Sequence, residues 1–573
     1  MARQVAPTEE LSKTNVHDPS GDLTGAIFEE RAENLSIDQF SAWTEVSPFE
    51  RSVLRQLTAQ GPRLLSGPRG CGKTTLLKLA EGRIDSDSHD IAVYVNYGKY
   101  LFLEPAYKQR ADADGFFQDW LVARIIAAIS EKISDNQELN LLAIECQAFV
   151  DAAESNPSTD RLDLPGPAQL SRMLEAWAGE SGHRRVILLL DDAAHAFVPD
   201  QQRVFFEFLR NIRNPNVTYK AAIYPGVTEF SPNFHVGHDA KIIHAWIPVE
   251  GEQYLRFMRS LFAKRFPENM RRGIPSDVVD LFAGAAFGVP RTFLAMLEEY
   301  LNNKPTNSGR IARLANTIIS EQAQQLRKLY LTLADKLPSY SMYVSTGTRV
   351  EQRIVDELRT LNANRFDKQE TASQALDVAI RQPIDQRLLT IMSLLEYAGI
   401  VRQTNESVSV GSSGTFTKFS LHGAILIEGT ALRFGKNPTL AQRASSLIRF
   451  TRAGTYKRVM SEALLTNSEA KVCRLMVGSC QNCGSPRLIQ EARFCHVCGS
   501  ELLDESRFAA LLRTPVDQLP LTPRKIESLK KQRLLRVEDI LRDRGQQELR
   551  KADRVGQVWA RRIYSIAEEF VSV

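Results

Sequence analysis

The sequence predicts a parallel α/β core built around a glycine-rich phosphate-binding loop, then an all-helical segment and a string of small C-terminal modules. Three observations lead there. Short β-branched runs alternate with helical patterns up to about residue 250, as in repeated βαβ units. The run Gly67-Pro68-Arg69-Gly70-Cys71-Gly72-Lys73-Thr74-Thr75 lies between a strand pattern and a helix pattern. Beyond Pro248, apolar residues recur at three- and four-residue spacing as far as residue 335.

Taken in order, residues 1–36 are polar and aperiodic and read as a flexible arm without an apolar leader segment. Strands are expected at Arg63–Gly67, Ile91–Tyr97, Arg185–Asp192, Tyr219–Pro225 and Lys241–Val249, each of a length and composition suited to burial on both faces. Gly115–Ile133 reads as a helix. The core spans 37–250 and the helical segment 251–335. In 336–470, Ile384–Gln403 gives a helix running into a strand, then a glycine-rich link, then the alternating strand Thr415–Gly423, which is the pattern of a winged helix. A cysteine-rich ribbon (471–505) and a small basic helical module (506–573) complete the chain.

The chain has 573 residues, 43% of them hydrophobic and 24% charged, with a net charge of +4, which permits nucleic-acid binding without requiring it. No apolar run approaches the roughly 20 residues that span a bilayer, so no membrane partner is expected. The close pairing of Cys480, Cys483, Cys495 and Cys498 fits a reducing compartment, and a cytoplasmic location is expected.

In the glycine loop, small residues let successive backbone N–H groups turn toward phosphate oxygens, and the following helix adds its positive end. Lys73 is expected to reach the β- and γ-phosphates of ATP, and Thr74 to ligate Mg²⁺. The run Val186-Ile187-Leu188-Leu189-Leu190-Asp191-Asp192 supplies the other half. Asp191 is placed to hold Mg²⁺ and Asp192 to orient or deprotonate an attacking water. With one strand between this run and the loop, the core falls in the extra-strand class of P-loop ATPases.

The motif Gly288-Val289-Pro290-Arg291 interrupts the helical segment. Together the loop, the paired aspartates, the passage from strand Lys241–Val249 into its helix, this motif and the winged pattern resemble an AAA+ ATPase, most of all the origin-recognition (initiator) branch and its bacterial relatives. The resemblance covers 37–425 and implies several expectations. Arg291 would sense the γ-phosphate, Ser47–Leu57 would stand where that family contacts adenine, and Tyr224 or Thr228 would serve as the first sensor. It also implies DNA as a partner and association with further copies of the chain.

Two departures weigh against rapid turnover. Gly226–Ala240, where such proteins carry an arginine finger, holds no arginine, leaving Arg210 and Arg213 as substitutes. Aspartate also replaces the longer glutamate at 192. Both recur in the STAND branch, a signalling and antiphage-defence class that uses ATP as a latch. That alternative implies a separate effector protein, since no effector motif is visible in the sequence.

Cys480-x-x-Cys483 and Cys495-x-x-Cys498, each pair followed by glycine, have the spacing of a closed structural Zn²⁺ site. His496 and Cys473 are not expected to be ligands. The tail from Leu519 resembles paired helix-hairpin-helix folds and the C-terminal domain of the bacterial RNA polymerase α subunit. That resemblance implies phosphate contacts by Lys530, Lys531, Arg533, Arg554, Arg561 and Arg562.

Overall fold

A computed structural model describes residues 32, 35–87, 89–98, 100–104, 110–132, 136–156, 158–193, 199–250, 252–303, 308–368, 374–409, 414–448, 455–475, 478, 480, 482–485, 487, 492, 494–502, 507–521 and 523–571. Most of the expected N-terminal arm lies outside the described residues. The chain divides into two compact units, residues 30–512 and residues 513–570, the latter grouped with 1–29.

In the larger unit, helix α1 (Pro48–Thr58) starts on a capping box in which Ser47 and Glu50 satisfy each other's backbone N–H groups, with Pro48 in the first turn. Strand β1 (Arg63–Ser66) leads through the glycine loop into α2 (Lys73–Asp87). There follow β2 (Asp90–Asn96), α3 (Ala113–Ile129), α4 (Gln137–Ala153), α5 (Pro167–Glu180), β3 (Arg185–Asp191), α6 (Pro199–Ile212), β4 (Val217–Ile223) and β5 (Lys241–His244). All five strands run parallel in the order β2-β3-β4-β1-β5. One strand, β4, therefore separates the aspartate-bearing β3 from β1. Every expected core strand is present, and the ends differ by three residues or fewer except in the last, which stops at His244 rather than Val249.

Parallel strands are buried on both faces, which accounts for the unbroken apolar run of β3. Leu65, Leu76, Leu77, Ile187, Leu189 and Ala222 form a cluster with Val53, Leu54 and Leu57 of α1. Each leucine, isoleucine or valine among them contributes about 1.5–3 kcal/mol on burial, so the loop between β1 and α2 rests on a stiff base.

The lid consists of α7 (Glu252–Arg265), α8 (Ser276–Ala285), α9 (Pro290–Asn302) and the long α10 (Ser308–Lys336), with a short turn of helix at Glu268–Arg271. After α11 (Ser341–Asp367) comes a second sheet built from β6 (Asp377–Arg381), β7 (Val401–Ser409), β8 (Thr415–Leu421) and β9 (Tyr456–Val459), in the order β7-β8-β6-β9. Helix α12 (Gln386–Tyr397), capped by Asp385, lies between β6 and β7. The expected helix and both strands are there as α12, β7 and β8, while β7 runs on through Ser409 into the expected link, whose residues 410–413 lie outside the described residues. Strands β6 and β9 enlarge the pattern, and a single helix stands between β6 and β7. Glu469 accepts hydrogen bonds from Arg353 (2.6 and 2.9 Å) and Arg349 (2.7 Å) of α11, which hold its carboxylate near pKa 2.

The smaller unit contains α13 (Pro523–Lys531), α14 (Val537–Arg542), α15 (Gln547–Lys551) and α16 (Gln557–Val571). Its two hairpins turn at Arg533 (φ 63°) and Arg554 (φ 58°), conformations that glycine normally occupies. They are stitched together by Ser528, whose hydroxyl donates to the Asp553 carbonyl at 2.8 Å, and by Lys525, whose ammonium donates to the Arg554 carbonyl. No described helix is long and apolar enough to cross a membrane.

Candidate nucleotide site, cysteine cluster and hairpin tips

The loop from Gly67 to Lys73 depends on its glycines. A methyl at Gly67 would lie 2.6 Å from the Cys71 sulfur, and Gly70 and Gly72 adopt φ of 78° and 94°. Lys73 is buried, and its ammonium donates to the carbonyls of Gly67 (2.7 Å) and Pro68 (3.1 Å) while lying 3.5 Å above the Tyr224 ring centroid. Burial lowers its pKa, opposed by the negative charges of Cys71, Asp192 and Asp191 when those groups are ionised. The lysine thus satisfies itself on the loop it belongs to. Phosphate oxygens are better partners for an ammonium than carbonyls. Thr74 and Thr75 stand half-buried in the first turn of α2.

Both aspartates sit at the carboxyl end of β3, beside the loop. Asp191 is fully buried and accepts from the Tyr94 hydroxyl (2.8 Å) and the Asp192 N–H (3.0 Å). Asp192, at φ 48°, accepts from the Tyr224 hydroxyl at 2.7 Å. Thr228 does something different: its hydroxyl donates to the Tyr224 carbonyl (2.8 Å) and accepts the Tyr224 N–H (3.2 Å). Of the two first-sensor candidates, Tyr224 is the one that reaches the carboxylate and the lysine.

The lid arginine comes to the same place. Arg291 packs on Gly70, where an added methyl would meet its Cβ at 2.9 Å, and its N–H lies 3.5 Å from the Gly70 carbonyl. The turn before it is fixed by Trp246, whose indole N–H donates to the Phe287 carbonyl (2.7 Å), and by the Tyr254 hydroxyl, which accepts the Gly288 N–H (3.1 Å). Gly288 has φ 79°, and a methyl there would stand 3.1 Å from the Ile247 carbonyl carbon, so only glycine fits.

The sequence did not show that the second sheet packs on this face. Arg402 of β7 donates to the carbonyls of Trp246 (3.0 Å) and Ile247 (3.1 Å), and burial lowers its pKa. The Tyr397 ring of α12 meets Tyr224 edge-on at 6.0 Å. A methyl on Gly399 would touch Pro68 of the loop at 4.0 Å. No local pattern marks Arg402 or Tyr397; their roles arise from contacts made across more than 150 residues.

Of the finger substitutes, Arg213 is bound to Asp239 through its carbonyl and carboxylate, both at 2.8 Å, whereas Arg210 is half-exposed near Glu207. Arg213 therefore braces the 226–240 segment of its own subunit.

The four cysteines converge. Their sulfurs all lie within 4.8 Å of one another, with 3.5 Å separating Cys480 from Cys498 and Cys483 from Cys495. Tetrahedral Zn²⁺ with bonds of about 2.3 Å sets sulfurs about 3.8 Å apart, so the donor set fits zinc. The two knuckles repeat one geometry. Cys480 and Cys495 donate N–H to Ser485 and Ser500, and Gly484 and Gly499 return N–H to the cysteine carbonyls with φ near 70°. Neither His496 nor Cys473 belongs to the cluster.

In the hairpin unit Arg533, Arg554 and Arg561 are exposed. Lys530 and Lys531 pair with Asp517 (2.6 Å) and Glu527 (3.3 Å). Arg562 is only 9% exposed and lies against Trp559, so it supports the last helix rather than facing outward.

The sheet order, the loop after β1 and the helical lid define an α/β P-loop core of the AAA+ type. No protein-family model and no curated protein matches the chain. Solved structures with a partial likeness include the ORC1 protein of Aeropyrum pernix in complex with DNA (16% identity, 68% of this chain, 93% of that one, TM-score 0.28). Two others are Cdc6p from Pyrobaculum aerophilum (13%, 72%, 99%, 0.29) and Drosophila ORC bound to DNA (11%, 67%, 95%, 0.27). At these TM-scores the likeness carries no weight, and the fold class rests on the sheet order, the loop and the lid.

Proposed function

We propose that the chain is a slowly hydrolysing ATPase of the initiator type, in which bound ATP sets the posture of the second sheet and the C-terminal modules for contact with DNA. The observation that carries this reading is that Lys73 and the lid's Arg291 meet at one loop, while Tyr397 of α12 packs on Tyr224 beside that lysine and Arg402 of β7 holds the Trp246–Ile247 backbone that leads into the lid. Filling that loop with a triphosphate would rearrange all of them together.

The residues have distinct parts. Lys73 would exchange its carbonyl partners for phosphate oxygens, and Arg291 would bind the terminal phosphate from the lid. Thr74 and Asp191, a hydroxyl and a buried carboxylate, form a hard-oxygen pair suited to Mg²⁺, which neutralises phosphate charge when bound. Asp192 would orient the attacking water and take its proton. The four cysteines would hold a structural Zn²⁺, and Arg533, Arg554 and Arg561 would contact phosphates. The functional segments are 37–250, 251–335, 336–470, 471–505 and 506–573, after the arm at 1–36.

A salt titration of DNA binding, with and without ATP, tests this. The expected result is ATP-linked affinity that falls steeply with salt. ATP binding without DNA affinity would favour the second reading, an ATP latch of the STAND kind that recruits a protein effector. The Arg213–Asp239 pair supports that second reading, because it leaves one finger substitute occupied within its own subunit.

A further inference from the structure

We propose that Tyr224 is a brake on hydrolysis, a positioning residue that holds Asp192 and Lys73 at rest and is itself seated by Tyr397 of α12, the helix that leads into the second sheet. The proposal rests on the ATPase reading above. Three contacts define it. The Tyr224 hydroxyl donates to Asp192 Oδ1 at 2.7 Å, its ring lies 3.5 Å from the Lys73 ammonium, and Tyr397 meets that ring edge-on. Thr228 pins the backbone of the same residue from the other side. A buried phenol against a carboxylate and under an ammonium has little freedom to move unless the aromatic neighbour moves first.

The consequence follows from the chemistry of the step. The water oxygen bonds to the γ-phosphorus while the bond from that phosphorus to the β–γ bridging oxygen breaks. ADP leaves with the electron pair, and the water proton passes to the Asp192 carboxylate and on to solvent. An Asp192 oxygen already accepting the phenol hydrogen bond is a weaker proton acceptor and is turned toward Tyr224. Tyr224 is thus expected to slow the reaction, whereas an ordinary sensor would promote it. Because Tyr397 belongs to α12, undocking of the second sheet would release the brake and join turnover to the posture of the DNA-directed half.

The test uses the full chain with Mg²⁺ and ATP, measuring ATP binding by calorimetry and single-turnover hydrolysis. Tyr224→Phe keeps the ring under Lys73 and removes the hydroxyl. The expected result is a rate roughly tenfold higher, the equivalent of one hydrogen bond to a charged group, with ATP affinity unchanged. Tyr397→Leu should raise the rate in the same direction by a smaller factor. An equal or slower rate for Tyr224→Phe, with ATP still bound, overturns the proposal. If no chain binds ATP, wild type included, the ATPase reading itself fails and the brake falls with it.

Discussion

Replacing Gly226 by alanine drives a methyl group into α12 from the core side. Gly226 has φ 78°, and the added carbon would overlap the Ser393 carbonyl, lying 2.5 Å from its carbon atom. That is about 1 Å inside the ~3.5 Å at which carbon atoms rest in contact. The left-handed conformation adds about 1–2 kcal/mol for any residue with a Cβ, and overpacking against a backbone group adds about 1–3 kcal/mol. Only the overpacking term bears on docking, and about 1–3 kcal/mol shifts the docking equilibrium of the second sheet by roughly fivefold at the low end. Hydrogen exchange read by mass spectrometry should show faster exchange in Gln386–Tyr397, and single-turnover hydrolysis should quicken as Tyr397 leaves Tyr224. Faster exchange in α12 with an unchanged or slower hydrolysis rate would refute the link between docking and turnover. Unchanged exchange would refute the packing argument beneath it.

Lys73→Ala should abolish ATP binding in calorimetry, because the carbonyls that hold the lysine cannot bind phosphate in its place. Asp192→Asn should retain ATP yet stop hydrolysis, and unaltered single-turnover rates would remove Asp192 from the mechanism. Cys480→Ser with Cys483→Ser should abolish the zinc signal in elemental analysis and raise protease sensitivity only beyond about residue 470. The buried Glu50 is raised from 4.5 to about 7, chiefly by desolvation, so the folded state holds its proton more tightly than the unfolded chain does. Its effect is therefore a loss of stability as pH rises from about 4.5 to 7, up to about 3 kcal/mol. Glu50→Gln keeps an acceptor for the Ser47 N–H and should flatten that part of the thermal-melting profile.

What the sequence made legible is what local chemistry dictates. The glycine loop, the Asp191–Asp192 pair, the Gly288–Arg291 turn and the cysteine knuckles all announce themselves within a few residues. The core strands were legible for the same reason, since burial on both faces leaves an unbroken apolar run. The rest depends on residues far apart in the chain. Strand β6 pairs with β8 and β9, up to about 80 positions away, and carries a buried Asp377 that Lys418 approaches at 3.6 Å, so its composition alone does not mark it. Nothing local marks Arg402, and only the carbonyls of Trp246 and Ile247 give it a role. Arg213 is a finger substitute and Arg562 a phosphate contact in the sequence reading, yet Asp239 and Trp559 engage them. Tyr224 and Thr228 looked equivalent until the fold set one against Asp192 and the other against the backbone.

The Glu469 clamp has a mechanical consequence. Strand β9 lies in the second sheet alongside β6, and ten residues after its end the chain is fastened to α11 by two arginines on one carboxylate. Cys480 follows Glu469 by only eleven positions. Any swing of the body that carries β6 and α11 therefore takes Glu469 with it, and this fixed point lies a short stretch of chain ahead of the first thiol.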